Sequence, residues 1–389
     1  MPYIEVKIRP MLDTHKAVEY HWRVWELTGI VQTPGSNRIW NLVRGILINT
    51  LITLLFPLTL VANLFFTKNL QQVCENLSIT ITDILANLKF LNVYVMRDEL
   101  NEIRDLLMLL DKRARDIGDL DELEALHDAV KISRTSFRIF GGIFIFGTTL
   151  SCFRVAIATE RVLLYPAWFW FDWECSIVTY IIILVYQLFG LTVQALQDCA
   201  NDSYPPAYLC ILTGHMRALE FRVRRLGQHT EKELNYIELN DCIDDYIYIL
   251  ELHAIIQKIL SVPSMAQFVC SAAVQCAVGL NFLYNADSND LSAMVLSMVF
   301  FMAVTLEVLI ICYFGDRMRT QSEALLNAFY FCDWFDQLPK FKQNLIICLQ
   351  RAQQPSLIYA GNYIPLTLES FVKIIRSTYS VFTVLLRAK

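Results

Sequence analysis

Near its end the chain reads Thr367-Leu368-Glu369-Ser370-Phe371-Val372-Lys373-Ile374-Ile375-Arg376-Ser377-Thr378-Tyr379-Ser380-Val381-Phe382-Thr383-Val384-Leu385-Leu386-Arg387, long and apolar enough to cross a bilayer. Ser370, Ser377, Thr378, Ser380 and Thr383 interrupt its aliphatic residues. A helix that meets only lipid has no use for so many hydroxyls, whereas one that faces oil on one side and something wet on the other does. The alternative is that they bond back to their own helix or to a neighbour. Six further apolar segments of similar length precede it, at 42–64, 73–96, 137–157, 174–196, 261–284 and 291–313, the last being 366–386. The second carries Asp83 and Lys89, so it is expected to face protein or water rather than lipid. Seven such spans predict an all-α membrane protein with seven transmembrane helices.

The composition agrees. Of 389 residues, 55% are hydrophobic and 18% charged, with a mean hydropathy of +0.40, whereas soluble domains carry about 25% charged residues. The net charge of -5 is spread over both signs with no long basic block, which excludes nucleic acid as a partner and leaves membrane lipid as the surroundings. Eleven cysteines form no Cys-x-x-Cys pair, and six histidines are isolated in the sequence. No disulfide framework, metal site, cofactor or enzymatic centre is indicated. Glu5, Lys7, Arg9, Asp13 and Lys16 precede the first apolar run, which argues against a cleaved secretory leader.

Positive charge gives the orientation, because loops that stay in the cytoplasm retain Lys and Arg. Six lie in the segment through Arg44, eight between Arg97 and Arg138, six in 201–260 and five in 314–363, whereas Lys68, Arg154, Arg161, Arg387 and Lys389 face the other side. The expected topology is inverted, with a cytoplasmic N-terminus and an extracellular C-terminus. A G-protein-coupled chemoreceptor has the opposite topology. Its acidic-Arg-aromatic triplet has only a superficial echo in Glu160-Arg161-Val162, on the outer side, and the seventh span lacks Asn-Pro-x-x-Tyr. Asn76 and Asn201 open glycosylation sequons on opposite sides of this topology. Within residues 1–39, Trp22, Trp25 and Gly29 at helical spacing predict a short interfacial helix at headgroup level. Apolar residues recurring through 233–259, 321–335 and 341–350 predict amphipathic helices that continue spans four and five into the cytoplasm and form a helical anchor region over 314–365.

The C-terminal third resembles the insect odorant receptor family. The likeness runs from Glu323-Ala324-Leu325-Leu326-Asn327-Ala328-Phe329-Tyr330 through Trp334 and Leu349-Gln350-Arg351-Ala352-Gln353-Gln354-Pro355 to Leu357, Ala360-Gly361, Leu368-Glu369-Ser370-Phe371 and the closing Ser377-to-Arg387 run, with Tyr379-Ser380 its most specific sign. A gustatory-receptor-like channel would close on Gln-Phe where this chain has Leu385-Leu386. The family's shared co-receptor has a larger loop between spans four and five, so the resemblance is to a ligand-tuning subunit. It implies an odorant-gated, non-selective cation channel of four subunits, assembled with co-receptor subunits in the plasma membrane of a sensory dendrite.

Ile375, Thr378 or Tyr379, Phe382 and Leu386 share one face of the last helix. By the resemblance, Phe382 and Leu386 stand at the family's hydrophobic gate, where a narrow apolar ring excludes water. The family's pocket for a small volatile odorant lies in the outer half of the bundle, at the second, third, fourth and sixth spans. Here that neighbourhood holds Ile79, Ile81, Thr148, Ser151, Cys152, Val155, Ile177, Tyr180, Tyr186, Met294 and Met298. Thioether, thiol and aromatic groups around a few hydroxyls suit a small apolar molecule.

Overall fold

The computed structural model describes residues 13–31, 38–67, 69–158, 160–173, 175–287 and 291–388, with the side chains of 38, 287 and 385–388 outside that description. A 3₁₀ turn, Thr14–Val18, leads into α1 (Glu19–Leu27). Then α2 (Arg38–Ile48) passes through one π-turn, Asn49–Leu54, into α3 (Leu55–Phe66). The remaining helices are α4 (Leu70–Val95), α5 (Arg97–Ile117), α6 (Leu120–Ile157), α7 (Ile177–Arg224), α8 (Lys232–Asp287), α9 (Leu291–Phe331), α10 (Pro339–Ala352) and α11 (Leu368–Ala388). Strands β1 (Tyr359–Ala360) and β2 (Ile364–Pro365) make one antiparallel pair between α10 and α11.

Helix ends follow local chemistry. Asp119 accepts from the backbone N–H of Asp121 and Glu122, each at 3.0 Å, and so starts α6, while Gly118 at φ 70° ends α5 in the left-handed region. Among the described residues, five helical stretches are long and apolar enough to cross a membrane: Ile39–Phe66, Leu120–Ile157, Ile177–Arg224, Lys232–Ala286 and Leu291–Phe331. Helix α4 reaches that standard only together with α5, from which it is bent by 64°. Helix α11 has the length, but Glu369, Lys373 and Arg376 fall within it. The spans expected at 73–96 and 366–386 are therefore helices of the bundle that carry charge.

Within α4, Asp83 and Lys89 are shielded by protein, as expected. Asp83 accepts from the Gln194 side chain and Lys89 pairs with Asp202, and each is 7% exposed.

Helices α6 to α9 run past the apolar bundle into a packed skirt; the periodicity predicts this for α7 and α8, the fourth and fifth spans, and not for α6. Arg222 is its central tie: its guanidinium reaches Glu122 at 2.6 Å and also pairs with Asp245, which pairs in turn with Arg113. A buried guanidinium with two carboxylate partners keeps its proton, so the Arg222 pKa rises above its ordinary value despite the opposing effect of burial. The N-terminal segment differs from expectation. Helix α1 forms and stops before Gly29 (φ 82°), but Trp25 is buried in protein, donating to Asn201 Oδ1 at 3.2 Å and lying edge-on to Tyr204 at 5.6 Å. His21 sits 2.8 Å from Ser203 Oγ. The segment docks on α7, which supplies a polar partner for Trp25 and for His21. Both sequon asparagines are also buried, with Asn76 donating to Leu60 O at 3.1 Å, so neither can serve as a glycosylation reporter of topology.

Candidate functional site

At the end of the bundle where α6 and α7 are joined, the connecting loop dips inward. Tyr165 is buried against Phe56 of α3, ring centroids 4.7 Å apart, and Leu60, Ile79, Tyr186 and Leu191 complete the apolar cluster. Gln187 of α7 is fully buried and serves the loop backbone: its Oε1 accepts from Leu164 N at 3.0 Å and its Nε2 donates to Tyr165 O at 3.1 Å. The Tyr165 hydroxyl donates to the Gln187 carbonyl at 3.1 Å. Nearer the rim, Trp168 donates its backbone N–H to Thr59 O at 3.1 Å and stacks on Phe66 at 4.8 Å. Gly190 makes the close approach possible, since a Cβ there would meet the Phe56 ring at 3.1 Å. The Tyr186 hydroxyl donates to Leu51 O, a carbonyl in the π-turn, at 2.9 Å.

The eleven residues expected at the pocket fall into separate groups. Ile79 and Tyr186 meet in the Tyr165 cluster, whereas Ile81 packs with Phe300 against Val274, Val278 and Val304, on another side of α4. Tyr180 donates to Val162 O of the loop at 2.9 Å and stacks with Trp173. Thr148 and Ser151 donate to their own helix, at Phe144 O and Gly147 O, and with Cys152, Val155 and Met294 they are half-buried. Ile177 and Met298 are more than half exposed, at 54% and 58%. Among the described residues, surface hollows lie elsewhere. One of about 380 Å³ is lined by residues including Gly29, Asn41 and Asn49, and another of about 560 Å³ lies along α5.

Sequence reading did not single out Phe56, Leu60, Tyr165 or Gln187. The available signal was Gln187 itself, with Gln194 one of two amides in the apolar run 174–196.

Helix α11 packs on one side only. Phe371 and Ile374 join the main core, Thr378 is buried with its carbonyl near Cys276 Sγ, and Phe382 lies against Gly279 of α8, where a Cβ would meet its ring at 2.8 Å. Ile375 is half-buried on this side, while Tyr379, Val381 and Val384 are exposed together with Lys373, Arg376, Ser377 and Ser380. Leu386 lies outside the described side chains. Of the hydroxyls, Thr378 donates to Ile374 O and Thr383 to Ser380 O, so those two are satisfied within the helix. Lys373 pairs with Glu369 at 2.6 Å.

Known proteins with the same pattern place the chain. Odorant receptor 2a of Drosophila melanogaster is 60% identical over 97% of this chain and 98% of its own length. Odorant receptor 33b of the same organism is 29% identical over 93% and 94%. The olfactory receptor OR5 from Machilis hrabei, solved in complex with eugenol, superposes with a TM-score of 0.81 at 14% identity, covering 97% of this chain and 99% of that one. Without eugenol it superposes with a TM-score of 0.78. The likeness to these two solved structures is one of fold. The family pattern of the 7tm Odorant receptors matches residues 69–379, and the chain belongs to that insect odorant receptor family, a family of multi-pass membrane receptors and not of enzymes.

Proposed function

We propose that this chain is the ligand-tuning subunit of a heteromeric, odorant-gated, non-selective cation channel. It assembles with co-receptor subunits into a tetramer in the plasma membrane of a sensory dendrite, with the N-terminus and the α6–α10 skirt in the cytoplasm and the C-terminus outside. The observation that carries this reading is the one-sided packing of α11. Its inward face is held by α8 and α9, whereas Ser377, Ser380, Arg376 and Lys373 are exposed. A charged and hydroxyl-bearing flank is costly against hydrocarbon and natural against water. One helix cannot enclose water, so the wet side requires neighbouring subunits.

In this reading Ile375, Thr378, Tyr379, Phe382 and Leu386 form the gate region, with Tyr379 on the exposed flank and Ile375, Thr378 and Phe382 on the side held by α8 and α9. The odorant sits at the other end of the coupling, in the outer half of the bundle, where Ile79 and Tyr186 meet; Ile81, Thr148, Ser151, Cys152, Val155, Ile177, Tyr180, Met294 and Met298 lie apart from that meeting. The likeness to OR5, a eugenol complex, supports a small volatile as ligand. Such a molecule of about ten heavy atoms gains several kcal/mol on binding, at about 0.3 to 1.5 kcal/mol per atom. That gain opens a channel whose closed and open states differ by a similar amount, provided the ligand prefers the open one.

Voltage-clamp recording of cells expressing this chain with and without the co-receptor tests the reading. Volatile-evoked cation currents that need the co-receptor are expected. A response carried by heterotrimeric G proteins, with no current, would contradict it.

A further inference from the structure

The Tyr165 cluster poses a physical problem that its own bonds solve. Gln187 lies ten residues along α7 from Ile177, roughly 15 Å below the helix end at 1.5 Å per residue, and so about midway through a core of about 30 Å. Non-helical backbone at that depth is tolerated only where its polar groups find partners in protein. Leu164 N and Tyr165 O find theirs on one buried side chain, Gln187. A loop that needed only to be tied to the bundle is already tied at the rim, by Trp168 on Thr59 and Phe66. The deeper insertion places a phenol in an apolar recess with a carbonyl at its polar end.

Resting on the reading of the chain as an odorant-gated channel, we propose that Tyr165 is a built-in occupant of the odorant site. The activating ligand is then a small aromatic ring bearing a hydroxyl donor, which takes the phenol's place beside Phe56 and its hydrogen bond on the Gln187 carbonyl. Phe56, Leu60, Ile79 and Leu191 form the walls that select the ring, and Gln187 selects the donor. Ligand and loop compete for one recess, so occupancy by the ligand frees the loop. Tyr165 thereby sets both the resting state and the ligand class.

The test records currents from the full chain with its co-receptor, for wild type, Tyr165→Phe and Tyr165→Ala, under 4-methylphenol, 4-ethylphenol, toluene and 1-hexanol. The phenols are expected to activate wild type at concentrations at least fivefold lower than toluene, which has the ring without the donor, and lower than hexanol, which has the donor without the ring. Tyr165→Phe loses the bond to Gln187 but keeps the ring, and is expected to lower the half-maximal phenol concentration about threefold or more. Tyr165→Ala is expected to raise current in the absence of any volatile. If surface labelling finds that Tyr165→Ala fails to reach the membrane, the phenylalanine variant decides the matter alone. Wild-type activation by toluene or hexanol as readily as by phenols, activation by none of the four when other volatiles open the channel, or an unshifted Tyr165→Phe response overturns the proposal and leaves the channel reading standing. Absence of current to every volatile overturns the channel reading itself.

Discussion

The two ends of this molecule are built differently. In the skirt, Tyr204, Tyr208, Leu209, Leu212, Leu252, Ile256, Phe329 and Phe341 are each at most 2% exposed, and ion pairs tie α5, α6, α7 and α8 together. In the bundle, only 6% of the apolar window of α6 is buried in the chain, against 50% for α8, and Ile145, Phe146, Phe153 and Ile157 stand exposed. The difference follows from the solvent. A helix in water must bury its apolar face against protein, whereas a helix in lipid can leave it to the acyl chains. In the proposed channel the skirt is the fixed base, and the bundle is the part that a ligand of modest affinity rearranges.

The contrast breaks most severely if the skirt loses its central tie. Arg222→Ala leaves Glu122 buried with only Arg225, at 3.3 Å, and should cost about 1.5–3 kcal/mol, seen as reduced surface expression and a lowered thermal transition in detergent. Acidification should attack the same region. Burial lowers the pKa of His21 and of His215 to about 4, so the unfolded chain takes up their protons first as pH falls below 6.5. Their stabilisation is complete above about pH 6.5 and fades towards pH 4, by at most roughly 3 kcal/mol for each. Asp111, which lies 3.7 Å from His215 and accepts from Thr14, is raised to about 6, chiefly by burial, and acts in the opposite sense between 6 and 3.8. Relative to wild type, a His21→Gln, His215→Gln double variant should therefore gain melting temperature as the pH is lowered from 7.5 to 5.

In the loosely held half, substitutions should change function before stability. Gly279→Val pushes into the Phe382 ring and should alter the open probability with surface expression retained. Phe382→Ala should raise leak or change ion permeation, and unaltered currents would remove that residue from the gate. The smallest effect is expected at the skirt surface, where Lys258→Ala removes an exposed pair with Glu99 and should leave both melting and currents as they are.

Much of this contrast was legible in the residues. Long apolar runs mark the spans, charges between them mark the skirt, and Asp83 and Lys89 announce that α4 is shielded. Three features were not, each for a physical reason. Trp25 carries the same amphipathic signature whether it meets headgroups or Tyr204, and only the fold shows that it meets α7. The Tyr165 cluster joins α3, α4, α7 and a loop across more than a hundred residues of sequence, and no periodicity encodes such a meeting. In α11, helical spacing groups Thr378, Tyr379 and Phe382 on one face, but packing divides them, leaving Tyr379 67% exposed while Thr378 is buried. Spacing alone says which residues neighbour one another, and packing says which way they look.

The exposed flank of α11 is the wall of the ion path in this account, and cysteine modification tests that most directly. With this chain and the co-receptor expressed together, a charged thiol reagent is applied from outside to Ser377→Cys and Ser380→Cys, with wild type controlling for native thiols and Ile145→Cys for a lipid-facing position. The account predicts that odorant-evoked current is blocked in the two α11 variants, faster in the presence of odorant, and untouched in the others. Currents from Ser377→Cys and Ser380→Cys that persist unchanged, although both variants are at the surface and respond to odorant, would contradict it.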